Sequence, residues 1–541
     1  MKRPKPEKRP AAAPPLARLQ GFVQRREVAV VAAITVVALL LRGLHVWQAA
    51  LHDPFFFLPA VDPKVYHEWA IRIADGDWLG DQVFFLSPLY PYFLSAIYAV
   101  TGPSLLAAKI IQAVLSAGCC LLIHLIGRRV FGILAGVIAA ALWALYSLSI
   151  FYDTELLVAA IQTPLNLAVA LFLLRAERTG GRRSWLAAGV LLGLSTLARP
   201  NTLLLAGLIV PWGALALRGR FSRGAVALRL ALFGAGMALM VAPVTVRNHV
   251  VGDDFVLVSS QSGANLYIGN GPGAAGTFRV PAEFLSTRAD DPLQQQRAYR
   301  EHAERARGRP LKPSEISDYW TERALEHVVE HPADSILLLL RKTAMFFNHH
   351  EPGNSRDFYS SRRFSAILAL PLLDFSVVGS LGLLGLIVSL RIFRRAFVLY
   401  AMVAVYAASL VLFFVLAHYR MPITPFFALF AGGGAVFLLE ALAGHRFRAL
   451  LLGLSLLAGS AWFVHLDLYR PGDSRFMVEY NLANRYRMLG RRPEAIDAYR
   501  RSIELQPNYI SSHHNLAIYC GEEPRDLECA EREWKAVLAI A

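Results

Sequence analysis

Long apolar runs separated by arginine clusters constrain this chain more than any other feature. A helix needs about 20 mainly apolar residues to cross the ~30 Å hydrocarbon core of a bilayer. Runs of that kind number eleven, at roughly 28–47, 104–126, 130–150, 155–175, 185–198, 200–217, 225–246, 364–390, 396–417, 421–441 and 447–466. The first does not read as a cleavable signal: it is long, has no small-residue cleavage pattern before Trp47, and more spans follow. The pattern predicts an all-α, multi-pass integral membrane protein. With 55% hydrophobic and only 18% charged residues, the composition excludes an ordinary soluble enzyme and excludes disorder.

The net charge of +15 reads as topology. With a cytoplasmic N-terminus, the short inside segments hold 22 Lys and Arg, and the short outside segments hold only Lys64, Arg72, Arg199 and Arg420. That bias gives no reason to expect a nucleic-acid partner. It also bears on the apolar stretch from Ala333 to Phe347, which at about 1.5 Å per residue spans only ~22 Å. Read as interfacial, it leaves every later arginine cluster inside; read as a span, it would reverse them all. The expected organisation is a basic cytoplasmic segment (1–27), a membrane domain (28–466) with external loops at 48–103 and 247–363, and an external tail (467–541). The Arg- and Ala-rich composition suggests a bacterial inner membrane, which puts the outer face in the periplasm.

Three polar constellations fall on that face. In the first loop, Asp62-Pro63 opens a helix-like run with Tyr66 one turn on, so helix capping is the plain explanation of Asp62. Asp153 and Glu155, in FYDTELL, sit at the outer end of the third and fourth spans, where they too can cap a helix. His418, Tyr419 and Arg420 interrupt the boundary between two later spans. Arg199 marks the apex of a hairpin, at a depth where arginine is costly unless it faces a polar cavity. With Arg247, Lys342 and Arg420 also external, a lipid carrying an anionic head group is a natural ligand, because a guanidinium grips phosphate by a bidentate fork.

Other motifs carry less. Gly269-Asn270-Gly271-Pro272-Gly273 lacks the Gly-Lys-Ser/Thr ending of a phosphate loop and reads as a turn after a strand at FVLVSS. His349-His350-Glu351 and His513-His514 match no zinc spacing, so no metal site is assigned. Cys119 and Cys120 read as core residues; Cys520 and Cys529 can pair if the tail lies outside a reducing compartment.

In order and sidedness, Asp62 with the DxxxYxxWA run, SPLYPYFL, YDTELL, ARPN, VRNHVVGDDFVLVSSQSGANLYIGN and HYRMPITP together resemble the GT-C-fold glycosyltransferases that use polyprenyl-phosphate-linked sugars. The likeness is greatest to the branch of the protein mannosyltransferases and lipid A aminoarabinose transferases. It covers roughly 28–440. The resemblance implies a GT-C-type helical membrane domain, a hexosyl- or pentosyltransferase activity and Asp62 as catalytic base. It implies a second acidic site at Asp153 and Glu155 for the acceptor or, in some members, a divalent metal. It also implies lipid-phosphate contacts from Arg199, Arg247 and Arg420; Lys342, external beside an apolar segment, is a further candidate for that phosphate, and Tyr66, His418 and Tyr419 are candidates for contact with the substrate. One departure is Ser87-Pro88-Leu89, where the aminoarabinose branch has a lysine before a double proline.

The tail segment YNLANRYRMLGRRPEAIDAYRRSIELQPNY is similar to a tetratricopeptide repeat. Leu482, Ala483, Tyr486, Gly490, Ala495, Tyr499 and Pro507 stand at the signature places, and a worn second copy starts at Asn515. So short an array is expected to pack against the membrane domain or a partner, either as a structural cap or as a docking groove for a protein acceptor or an assembly partner. The alternative function is a transporter or flippase for lipid-linked sugars, although the spans show no internal duplication.

Overall fold

The protein is described from a computed structural model covering residues 15–279, 281, 284, 292–353, 356–469 and 475–540. The basic residues Lys2 to Arg9 fall outside the described residues. The chain is helical, with no β-strand among the described residues. Among the described residues, eight helical segments are long and apolar enough to cross a membrane, the first Glu27–His52 and the last Phe447–Val464, which makes this a multi-pass membrane protein.

Each of the eleven apolar runs contains a helix, but two helices fall far short of their runs: Ile133–Ala144 with 12 residues and Phe375–Val388 with 14. These two breaks complete one another. Ser147 N donates to Leu373 O at 2.8 Å and Leu373 N to Leu145 O at 3.1 Å, so backbone groups freed by one interruption are satisfied by the other. The hairpin breaks at Arg199, which is extended (φ −148°, ψ 114°) between Arg182–Ala198 and the 3₁₀ turn Pro200–Leu203. Close helix packing relies on small residues: a Cβ on Gly189 would collide with the carbonyl of Phe233, and one on Gly385 with that of Phe430.

Arginine clusters gather at one end of the bundle. Arg128 pairs with Glu27 at 2.6 Å, and Arg395 Nε donates to Arg129 O at 3.0 Å, from just beyond the break that divides Phe375–Leu412 into two helices. At the other end the loops and tail meet. The helix Pro332–Phe346 exposes Ile336, Leu337, Leu339 and Leu340 along an apolar flank while burying Lys342, Met345 and Phe346.

FVLVSS is not a strand. No neighbouring strand offers partners; instead Asn248 Nδ2 donates to Val256 O at 3.0 Å and Val258 O at 3.1 Å, and Thr245 Oγ1 to Leu257 O at 2.8 Å. Side chains at the end of the helix Arg223–Gly252 thus satisfy the backbone that a sheet would have paired. The turn at Gly271-Pro272-Gly273 accordingly follows a helix, Ser262–Asn270. That helix packs with Pro292–Arg307 and Pro313–Glu330 around Tyr267, Phe284, Tyr299 and Trp320.

Four helices form the tail: Arg475–Met488, Arg492–Leu505, Ile510–Gly521 and Leu527–Ile540, the last two joined by a Cys520–Cys529 disulfide. Its core is continuous with first-loop residues, since Phe55 and Ala60 are buried in the same cluster as Tyr480, Ala483 and Tyr499. Glu479 adds an ion pair to Arg363 at 3.0 Å, beside one to Arg501 within the tail at 2.9 Å.

Candidate active site

Asp62 is the first residue of the helix Asp62–Ala74, and the N-cap is Val61, which makes no side-chain cap hydrogen bond. Asp62 is therefore not the cap residue, and its position at a helix N-terminus favours a negative charge. Tyr66 is buried one turn further on, its ring edge-on to Tyr90 at 5.2 Å. Burial, and then the charge of Asp62, push the Tyr66 phenol well above its ordinary range, so it stays protonated.

Arg199, at the hairpin break, lies with its guanidinium 4.1 Å from the centre of the Tyr419 ring. Tyr419 belongs to the short helix Ala417–Arg420, and the neighbouring His418 ring lies 4.2 Å from it. Two residues past Arg199, Asn201 Nδ2 donates to Ser409 Oγ at 2.8 Å. Asp62, Tyr66, Arg199, Asn201, Ser409, His418 and Tyr419 all line one cavity of about 1070 Å³. Leu157, Ala198 and Leu410 give it an apolar wall, and Phe476, Asn481, Asn508 and Tyr509 of the tail form another. Such a space, part apolar and part polar, suits a ligand with both characters.

The remaining sequence candidates lie elsewhere. Asp153 does not line the cavity; it is buried against Arg42 at 3.0 Å. Glu155 pairs with Arg356, which reaches Asp53 at 2.5 Å with its other nitrogen, forming a closed triad. Neither acid caps a helix by a side-chain bond: the N-cap of Ala159–Thr179 is Val158. Arg420 is 1% exposed, pairs with Glu351 at 2.6 Å, donates to Phe346 O at 2.8 Å and Asn348 O at 2.6 Å, and stacks on Phe375. Arg247 donates to Leu79 O at 2.7 Å and Gln82 O at 2.6 Å, holding the first loop. Lys342 is fully buried and donates to Asn270 Oδ1 at 2.8 Å; burial pulls its ammonium down to about 8. None of these three cations lines the cavity, because each is already engaged in holding a loop.

Several charged residues escape a reading of the sequence. Arg42 and Lys109 lie inside apolar helices, and a charge within a span was the available signal. Lys109 Nζ donates to Phe56 O at 2.6 Å. Asp53 and Arg356 gave no signal, and Glu351 drew attention only beside His349 and His350. Burial raises the Glu351 carboxyl despite Arg420, and lowers the nearby His350 to about 4. Among the described residues, the one trio of His, Cys, Asp or Glu within reach of a single ion is Cys520, Asp526 and Cys529, and both sulfurs are joined in the disulfide.

Residues 86–246 match the family model described as dolichyl-phosphate-mannose-protein mannosyltransferase, and residues 478–509 match that of the tetratricopeptide repeat. The resemblance to lipid-linked-sugar glycosyltransferases thus holds for the first half of the membrane domain, and the resemblance to the repeat for the tail. No curated protein matches. Among solved structures, the chain is similar to the archaeal oligosaccharyltransferase AglB from Archaeoglobus fulgidus in complex with an inhibitory peptide and a dolichol-phosphate. The identity is 15% and the TM-score 0.43, over 86% of this chain and 58% of that one. The oligosaccharyltransferase of the same organism in complex with Zn and sulfate gives 15% and 0.45, over 84% of this chain and 55% of that one. ArnT from Cupriavidus metallidurans bound to undecaprenyl phosphate gives 18% and 0.36, over 78% and 80%. The chain spans under two thirds of the length of the archaeal enzymes.

Proposed function

We propose that this protein is a membrane glycosyltransferase that moves a hexose or pentose from a polyprenyl-phosphate carrier to an acceptor hydroxyl on the non-cytoplasmic face. In a bacterial inner membrane that face is periplasmic. One observation carries the reading: Asp62, Tyr66, Arg199, His418 and Tyr419, scattered along the sequence, line one cavity. A chain whose residues 86–246 match a mannosyltransferase family model supports it.

The chemistry follows from the groups present. Asp62 takes the proton of the acceptor hydroxyl as its oxygen bonds to the anomeric carbon. The bond from that carbon to the phosphate oxygen breaks, and the lipid phosphate leaves with the electron pair. A single displacement inverts the anomeric centre and needs no protein nucleophile. Arg199 lies on the cavity wall with its charge available to the leaving phosphate, where negative charge grows. The apolar wall beside Ala198 and Leu410 suits the lipid, and the tail side suits the acceptor. Every step above is taken by the chain's own residues.

The test is transfer from a defined polyprenyl-phosphate sugar by purified protein in liposomes, with sidedness of the lipid-linked sugar followed in the same vesicles. Wild-type protein should form sugar-acceptor product, and Asp62→Asn should not. A variant with full transfer removes Asp62 from the role of base. Movement of the lipid-linked sugar across the bilayer without product would favour the transporter.

A further inference from the structure

Val61, immediately before Asp62, has φ 54° and ψ −129°. A β-branched residue rarely adopts a positive φ, and such a conformation persists only where its surroundings impose it. The surroundings here include the tail. Val61 packs against the cluster formed by Phe55 and Ala60 with Tyr480, Ala483 and Tyr499. Its carbonyl accepts from Lys64 N at 3.1 Å and Val65 N at 3.2 Å, so its backbone sets the start of the helix that carries Asp62. Val61, Asp62 and the tail residues Phe476, Asn481 and Tyr509 face the same cavity. Glu479, paired with Arg363, anchors the tail to the membrane domain beside this contact.

We infer that the tail is a clamp that holds Val61 in its disfavoured conformation and thereby aims Asp62 into the cavity, so that turnover depends on tail docking. Val61 is a positioning residue in this arrangement. The inference rests on Asp62 acting as base. A ~1 Å misplacement of a reacting group can cost about a hundredfold in rate, so partial loosening of the clamp should cost about tenfold. Glycine adopts positive φ without steric penalty and should lessen the need for the clamp.

The experiment uses the full chain reconstituted with a polyprenyl-phosphate sugar and a saturating acceptor. Tyr480→Ala, and separately Glu479→Gln with Arg363→Gln, should lower kcat about tenfold with donor KM unchanged, and should speed amide hydrogen exchange across residues 55–66. Adding Val61→Gly to either should recover at least about threefold of that loss. The second variant set keeps the test open if Tyr480→Ala fails to fold. Wild-type kcat in the tail variants, a loss undiminished by Val61→Gly, or a rise confined to acceptor KM would each overturn the clamp. If Asp62→Asn retains transfer, the reading of Asp62 falls separately, and unchanged exchange at 55–66 in the tail variants still decides against the clamp.

Discussion

Two sets of polar and charged residues lie toward the same end of the bundle, and they differ in whether they face open space. In the cavity, Asp62, Arg199, His418 and Tyr419 border a volume of about 1070 Å³. Around it, Arg42 with Asp153, Arg356 with Asp53 and Glu155, and Arg420 with Glu351 are closed, buried pairs with side chains at most 8% exposed. Both sets combine a carboxylate with a guanidinium, so residue type does not separate them. Buried ions must be matched or they destabilise the fold, whereas ions that line a cavity face a space that a ligand can enter. The closed set ties distant segments together; the open set borders the cavity.

Variants in the open set should therefore remove chemistry while leaving the fold intact. Asp62→Asn is expected to cut turnover by about 10²–10⁴-fold, with thermal unfolding unchanged, in the transfer assay. Arg199→Gln should cost about 10²–10³-fold in kcat through lost stabilisation of the leaving phosphate.

Variants in the closed set should show the reverse. Arg356→Ala leaves Asp53 and Glu155 buried without their cation and should lower stability by about 3–5 kcal/mol, read by thermal unfolding in detergent. Asp153→Asn leaves Arg42 unmatched and should destabilise in the same way. If it instead abolished transfer at an unchanged Tm, Asp153 would belong with the open set and the comparison would fail.

The smallest effect concerns Lys342, whose ammonium is drawn down to about 8 by burial. Between that value and its ordinary 10.5 the unfolded chain binds the extra proton, so this residue's contribution to stability rises with pH. It is least favourable below about 8 and improves toward 10.5. The Tm difference between wild type and Lys342→Met should shift in favour of wild type across that window. A difference flat with pH would show that Lys342 is not held in a dry site.

How much of this was legible varied by element. Apolar periodless runs located the spans, but the interruption at Leu145–Ser147 was invisible because it is completed by Leu370–Leu373, more than two hundred residues away. FVLVSS looked like a strand on β-branched content, and Asn248 decided otherwise. Asp62, one of the acids named from the sequence, lines the cavity, yet the cap beside it is Val61, a residue with no polar signal. The partners Arg356 and Asp53, some three hundred residues apart, carry no shared pattern in the sequence.

The sequence by itself determined that the chain is a helical, multi-pass membrane protein with a repeat-like tail, because hydrophobicity and signature spacing are local properties. It also placed acids and arginines near the ends of the spans. Only the tertiary structure decided which of them remain open to a ligand and which are closed upon one another. That difference depends on the partners each charge meets across distant segments, and desolvation makes those meetings obligatory.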